Sequence, residues 1–246
     1  MGILDFLSKE NRLSSKIEKN VKRANNKHTP KDYRQAALYE IIEHATDGNE
    51  QAISGLISRF AVIAEPSIED EKEKEWVCNA LIDIGEKALP LLKRALRSEE
   101  SVNLVQRVFR NIVDEETYRK ELLAVLDEFD TEYERNPDRK IQTIMALSEL
   151  QGDDVAEKLV RFLEDVNETV RYQTVNALAE MEWEESREPL LKAMCEEESI
   201  RVRNEIIDVF ARLEWSTAGY KKQVAALLPQ GYKQDKSGKL IKLGNV

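Results

Sequence analysis

Few side chains in this 246-residue chain have the type and spacing for chemistry. Two histidines, His28 and His44, are followed by Thr29 and Ala45, and neither lies near a cysteine, so no set with metal-ligand spacing exists. Cys78 and Cys195 stand far apart and read as small helix residues, not as a disulfide or a reactive thiol. There is no glycine-rich phosphate loop, nucleophile elbow or Cys/His dyad. Carboxylates number 47, so any two of them adjacent signify little, and a surface acid is far more often a solvated charge than a general base. The expectation is no catalytic residue, no cofactor and no metal.

Positive charge, by contrast, recurs at a fixed slot. Pro90-Leu91-Leu92-Lys93, Lys158-Leu159-Val160-Arg161 and Pro189-Leu190-Leu191-Lys192 place Lys93, Arg161 and Lys192 equivalently, and Arg94, Arg97, Arg119 and Lys120 extend the set. A ladder of such cations could hold phosphates or an acidic protein segment. The competing reading is local. Glu157 and Glu188 lie four residues before Arg161 and Lys192, as solvated i,i+4 pairs do. Trp183 and Trp215 recur after Glu182 and Glu214. Tryptophan is enriched at binding hot spots, although a repeated corner position also reads as packing.

The elements that would carry these residues are helices. Glycine (9) and proline (6) are scarce and the good helix formers dominate. A short pattern, Ala-Leu-x-acidic-aliphatic, begins at residues 37, 80, 146 and 177, with degenerate copies at 108 and 209. Gln142–Leu147 aligns with Gln173–Leu178. Each unit reads as two helices. Val170, Thr174, Val175, Leu178, Ala179 and Met181 share one face of the first, and Val155, Leu159, Phe162 and Leu163 share one face of the second. Asn136-Pro137 marks one helix start and Ser67, ahead of Glu69 and Asp70, another. One such pair buries too little apolar surface to fold alone, and stacked copies supply the core.

Asp165-Val166-Asn167-Glu168-Thr169-Val170-Arg171 followed by Ala177-Leu178 resembles the HEAT-like repeat of the phycobilisome-lyase type, and Ile200-Arg201-Val202-Arg203 repeats the motif one unit on. The chain is also similar to uncharacterised bacterial HEAT-repeat proteins with a short N-terminal arm. The resemblance implies an all-α solenoid of about six helical hairpins. It implies that Arg171 and Arg203 bond acidic neighbours between repeats, and that second helices line the concave side, where the cation ladder would sit. Deoxyhypusine hydroxylases hold two irons on this scaffold with several His-Glu pairs, which this chain lacks. Phycobilin lyases need a chromophore pocket that no motif here marks. HEAT-like alkylpurine DNA glycosylases use a basic concave face. Two functions therefore compete: a non-catalytic scaffold or adaptor for a protein partner, and a nucleic-acid-binding, glycosylase-like protein.

Three segments are expected: a basic amphipathic helix or arm (1–30), the repeats (31–228) and a hairpin cap (229–246). Residues 1–31 carry eight Lys/Arg against Asp5, Glu10 and Glu18, a surplus of +5, so the rest holds about −15 of the net −10. Leu13, Ile17, Val21 and Ala24 form the arm's stripe, with Ile3, Leu4, Phe6 and Leu7 an apolar tip. It would cap the first repeat or reach a partner, a nucleic acid or a membrane surface. At the other end Asp235-Lys236-Ser237-Gly238 supplies the turn of a hairpin whose Leu240, Ile241 and Leu243 would cover the last repeat. No secretory n-region and no run of about 18 apolar residues occur, which points to a reduced, cytoplasmic protein. Leu178→Ala should cost about 2–5 kcal/mol in denaturant unfolding, as a buried large-to-small change does; a cost below about 1 kcal/mol would mean the buried face is misassigned.

Overall fold

The computed structural model describes residues 3–150 and 152–243, with side chains from Glu10 onward. The chain forms two compact units, residues 1–121 and 122–246, divided within one helix. In the first unit, α1 (Ile3–Ala24) precedes three helix pairs: α2 (Lys31–Thr46) with α3 (Glu50–Ser58), α4 (Ser67–Ile84) with α5 (Leu89–Ser98), and α6 (Asn103–Ile112) with α7 (Glu115–Leu126). The second unit takes over inside α7. It continues with α8 (Asp138–Ser148) and α9 (Asp153–Leu159), α10 (Glu168–Glu180) and α11 (Arg187–Glu196), and α12 (Ile200–Arg212) and α13 (Lys221–Leu227). Two strands follow, β1 (Tyr232–Gln234) and β2 (Leu240–Lys242). They pair antiparallel, Tyr232 opposite Lys242 and Gln234 opposite Leu240. Helical repeats closed by a small hairpin are thus the architecture that the letter pattern predicts.

The repeat letters explain the layering. All six copies of Ala-Leu or its variant fall in the even-numbered helices, the first of each pair. The second letter of every copy, Leu38, Leu81, Phe109, Leu147, Leu178 or Phe210, has no exposed surface. The fourth position, as Asp83, Asn111, Glu149 and Glu180, faces out. Within the first unit α2 packs on α4 and α4 on α6, while α3 packs on α5. Within the second, α10 packs on both α8 and α12, and α11 on α13. First helices therefore form one layer and second helices another inside each unit, with the apolar letters between them.

Charged side chains are buried where one repeat meets the next. Lys140, in the first turn of α8, is 1% exposed. It donates to Asp165 Oδ2 ahead of α10 at 2.8 Å and to the carbonyl of Asp130 at 2.7 Å. Arg171 occupies the same place in α10 and clamps Glu197 ahead of α12 through two 2.8 Å bonds, while its third nitrogen donates to Asp165 O. In the first unit Arg34 of α2 bonds both oxygens of Glu73 in α4 and the carbonyl of Thr29. Arg59 joins that cluster, donating to Glu73 and Asp70. Arg34, Arg59, Asp70 and Glu73 are all at most 4% exposed. A buried charge is tolerable only when matched and hydrogen-bonded in this way. Arg203 follows the pattern inside its own repeat, donating to Glu197 O. Among the described residues the elements after α12 are α13 and the strand pair, and Arg203 makes no forward clamp of this kind.

Several local expectations shift. Pro66 and Pro137 take the N-cap positions of α4 and α8. Ser67 is thus the first helical residue, and Asn136 sits one place earlier, its side chain still accepting from the Asp138 N–H. α1 buries Ile17, Asn20 and Ala24 against α2 and α3, whereas Leu13 is 38% exposed; the stripe drifts because its upper end extends past its neighbours. The apolar tip lies in the backbone of α1, with its side chains outside those described. In the hairpin, Leu240 is 3% exposed but Ile241 and Leu243 are 40% and 43% exposed. Strand alternation turns Ile241 outward, and the load falls to Tyr232, whose hydroxyl donates to Asp208 of α12. Glu182 and Glu214, which follow the last turns of α10 and α12, both have positive φ, 51° and 52°. A left-handed conformation disfavours any residue with a Cβ, so Glu182→Gly should be neutral or stabilising by up to about 1 kcal/mol in thermal unfolding. Asp165→Ala, which strands Lys140 in the interior, should cost about 3–5 kcal/mol in the same assay.

Candidate interaction surface

Lys93, Arg94 and Arg97 lie on α5 of the first unit, and Arg161 and Lys192 lie on the second helices of the second. Each of these side chains except Arg94 is engaged by a neighbouring second helix. Lys93 meets Glu121 of α7 at 2.8 Å, and Arg97 reaches the other oxygen of the same carboxylate. Burial would raise the Glu121 carboxyl, but hydrogen bonds from Lys93 and Arg97 outweigh it and hold it below the usual range. Arg161, in the 3₁₀ turn Val160–Glu164 that extends α9, donates to the carbonyl of Leu126 at 2.7 Å, its guanidinium 4.7 Å from the centre of the Phe162 ring. Lys192 pairs with Glu164 at 3.1 Å. The expected i,i+4 pairs do not form. Glu188 accepts instead from the Tyr220 hydroxyl at 2.9 Å, and Lys192 and Arg161 turn towards the preceding repeat. Arg94 is exposed beside the α3–α5 groove.

The two tryptophans are half-buried corner residues. Trp215 stands edge-on to Phe210, ring centres 5.6 Å apart. The Trp183 carbonyl accepts from the Ser186 backbone and hydroxyl, closing the 3₁₀ turn Glu184–Ser186 that leads into α11. Both follow a glutamate of positive φ, so the Glu-Trp repetition marks a repeated backbone corner.

A site that the letter pattern does not single out lies on the second-helix face of the second unit. A groove of about 630 Å³ runs between the 3₁₀ turn after α9, helix α11 and Tyr220. Val160, Leu163, Pro189 and Ala193 give it an apolar floor. Six carboxylates line it, Glu164, Asp165, Glu188, Glu196, Glu197 and Glu198, against Arg171 and Lys192 alone. Asp165 and Glu197 belong to the buried clamps and Glu164 faces Lys192. Glu196 and Glu198 are exposed and form no ion pair among the described residues. Neighbouring titrations register this field. The Tyr220 hydroxyl is pushed up, first by its bond to Glu188, and the Cys195 thiol is pushed up by burial and by Glu196. In a chain with 47 acids the groove could not have been picked out from composition; only the folded proximity of residues 164, 188 and 196–198 defines it.

Two comparisons bear on the class of protein. The HEAT repeats family matches residues 120–211, from the middle of α7 to near the end of α12. No curated protein matches the chain. Residues 120–211 thus match HEAT repeats, and the paired-helix layers within each unit are those of a helical repeat protein. Among the described residues no helix is long and apolar enough to cross a membrane, and no group of three or more His, Cys, Asp or Glu is placed to hold a metal ion.

The clamp at Glu197 sets a pH dependence. Burial raises its carboxyl, but the Arg171 bonds prevail and its folded pKa lies below the ordinary 4.5. A depressed carboxylate contributes stability that is present above the unfolded value and is lost as pH falls through the folded one. Denaturant midpoints measured downward from pH 4.5 should therefore fall in the wild type and fall less steeply in Glu197→Gln.

Proposed function

We propose that this protein is a non-catalytic scaffold or adaptor that holds a protein partner on its second-helix surface, in the cytoplasm. HEAT repeats generally mediate protein–protein interaction, and repeat arrays present extended surfaces suited to it. The observation that carries the reading is the groove on the second unit, which joins an apolar floor to a polar rim where Glu196 and Glu198 form no ion pair among the described residues. That combination suits a protein segment, whose side chains supply both kinds of contact. The resemblance of residues 165–171 to the phycobilisome-lyase type of repeat is consistent with a bacterial source and brings no lyase chemistry with it.

The ladder does not favour nucleic acid. A phosphate approaching Lys93, Arg97 or Lys192 would have to displace Glu121 or Glu164, giving up an ion pair already made. The surface that remains carries an acidic field, whereas a nucleic-acid-binding domain presents a basic face.

An affinity capture with the whole chain, at low and at moderate salt with both protein and nucleic acid analysed, tests this reading. A specific protein retained at moderate salt is the expected result. Nucleic acid captured only at low salt, with no protein retained, would replace the scaffold by the nucleic-acid reading.

A further inference from the structure

The partner's chemistry can be read from the groove itself. We propose that it takes a lysine- or arginine-rich segment of a partner protein, with a small apolar residue on the floor and basic heads on Glu188, Glu196 and Glu198. The inference deepens the scaffold reading and rests on it.

Three separate features converge. The first is shape: at about 630 Å³ the groove has room for a few side chains, and its floor of Val160, Leu163, Pro189 and Ala193 is apolar. The second is charge left over after internal pairing. Lys192 pairs with Glu164 and Arg171 with Glu197, and among the described residues Glu188, Glu196 and Glu198 form no ion pair. Residues 122–246 hold 25 Asp and Glu against 17 Lys and Arg, so the net charge of the unit adds to the same negative field. The third is Tyr220, whose hydroxyl is fixed on Glu188 and whose half-exposed ring lines the groove. A tyrosine ring beside a carboxylate offers a guanidinium both a stacking face and a charged acceptor. Complementary charge selects the partner and steers its approach, while the floor adds the salt-insensitive part of the binding.

The test is fluorescence anisotropy with the full chain and two labelled 12-residue probes, one rich in Lys and Arg with interspersed Ala and Val, the other with Asp and Glu in the basic positions. The basic probe should bind, more weakly as salt rises, and the acidic probe should not. Glu196→Lys with Glu198→Lys should weaken the basic probe about tenfold or more, since both reversed residues are exposed and unpaired. The control pair Glu157→Lys with Glu180→Lys, exposed in the same unit but outside the groove, should change it by less than about twofold. Equal losses in the two variants, or no binding of the basic probe at low salt, would overturn the proposal. Capturing the partner with the Glu196/Glu198 variant separates the two readings. A partner retained as strongly as by the wild type sinks the groove and leaves the scaffold standing, and a partner lost only from that variant supports both.

Discussion

The repeats hold together through a cation placed in the first turn of one first helix and a carboxylate placed just before the next. Lys140 with Asp165, and Arg171 with Glu197, are the two repeat-to-repeat clamps in the second unit. Each cation also takes a loop carbonyl, Asp130 O or Asp165 O, so a single side chain fixes both the entry into its own helix and the position of the following one. Apolar burial supplies most of the driving force, but it is non-directional and would tolerate a helix sliding by part of a turn. A buried ion pair does not tolerate it, because any slip leaves a desolvated charge unmatched. The apolar letters make the layers, and the clamps fix their register. The same logic holds the first unit with different residues, where Arg34 and Arg59 share Glu73.

The legible part of the fold was the part that repeats in letters. Ala-Leu lies at the buried face because a large apolar residue next to a small one at helical spacing has one place to go, and the Leu or Phe of all six copies obeys it. Arg171 was legible too, since it sits in the recurring Val-Arg motif. Lys140 carries the same role without the motif, in Asp138-Arg139-Lys140, and its partner lies 25 residues away in sequence. Its signal, a basic residue six places before Ala146 as Arg171 is before Ala177, is visible only once the repeats are in register. Leu13 shows the opposite failure: periodicity extends a stripe beyond the point where a neighbour exists to cover it.

The surface was harder to read for a related reason. Lys93, Arg161 and Lys192 lie on second helices or their 3₁₀ extension, but what those side chains face depends on the adjacent hairpin, about 30 residues away, as the rest of a repeat length requires. Local i,i+4 chemistry named Glu157 and Glu188 as partners. The fold offers Glu164 and Leu126 O at equally short range, and the helix-to-helix contacts prevail. Once those cations are internally matched, the face changes sign. What reads in one dimension as a positive ladder is, in the second unit, a pair of stitches from Arg161 and Lys192 beside an acidic groove.

The clamps also give the array a direction. Both clamp cations of the second unit, Lys140 and Arg171, reach forward to a carboxylate just ahead of the next first helix, so a repeat has a donor end and an acceptor end. Lys140 and Arg171 are 31 residues apart and stand in the same place in consecutive repeats. Removing residues 141–171 would set Lys140 where Arg171 stands and present it to Glu197, with no charge left over. Duplicating that stretch would add one clamp cation, Arg171, together with one clamp acid, Asp165. Gene rearrangement in steps of this length therefore keeps the interior electrically balanced, and the number of repeats can change between descendants of such a chain without a compensating mutation elsewhere. At α12 Arg203 meets its own loop instead, and β2 packs on that helix.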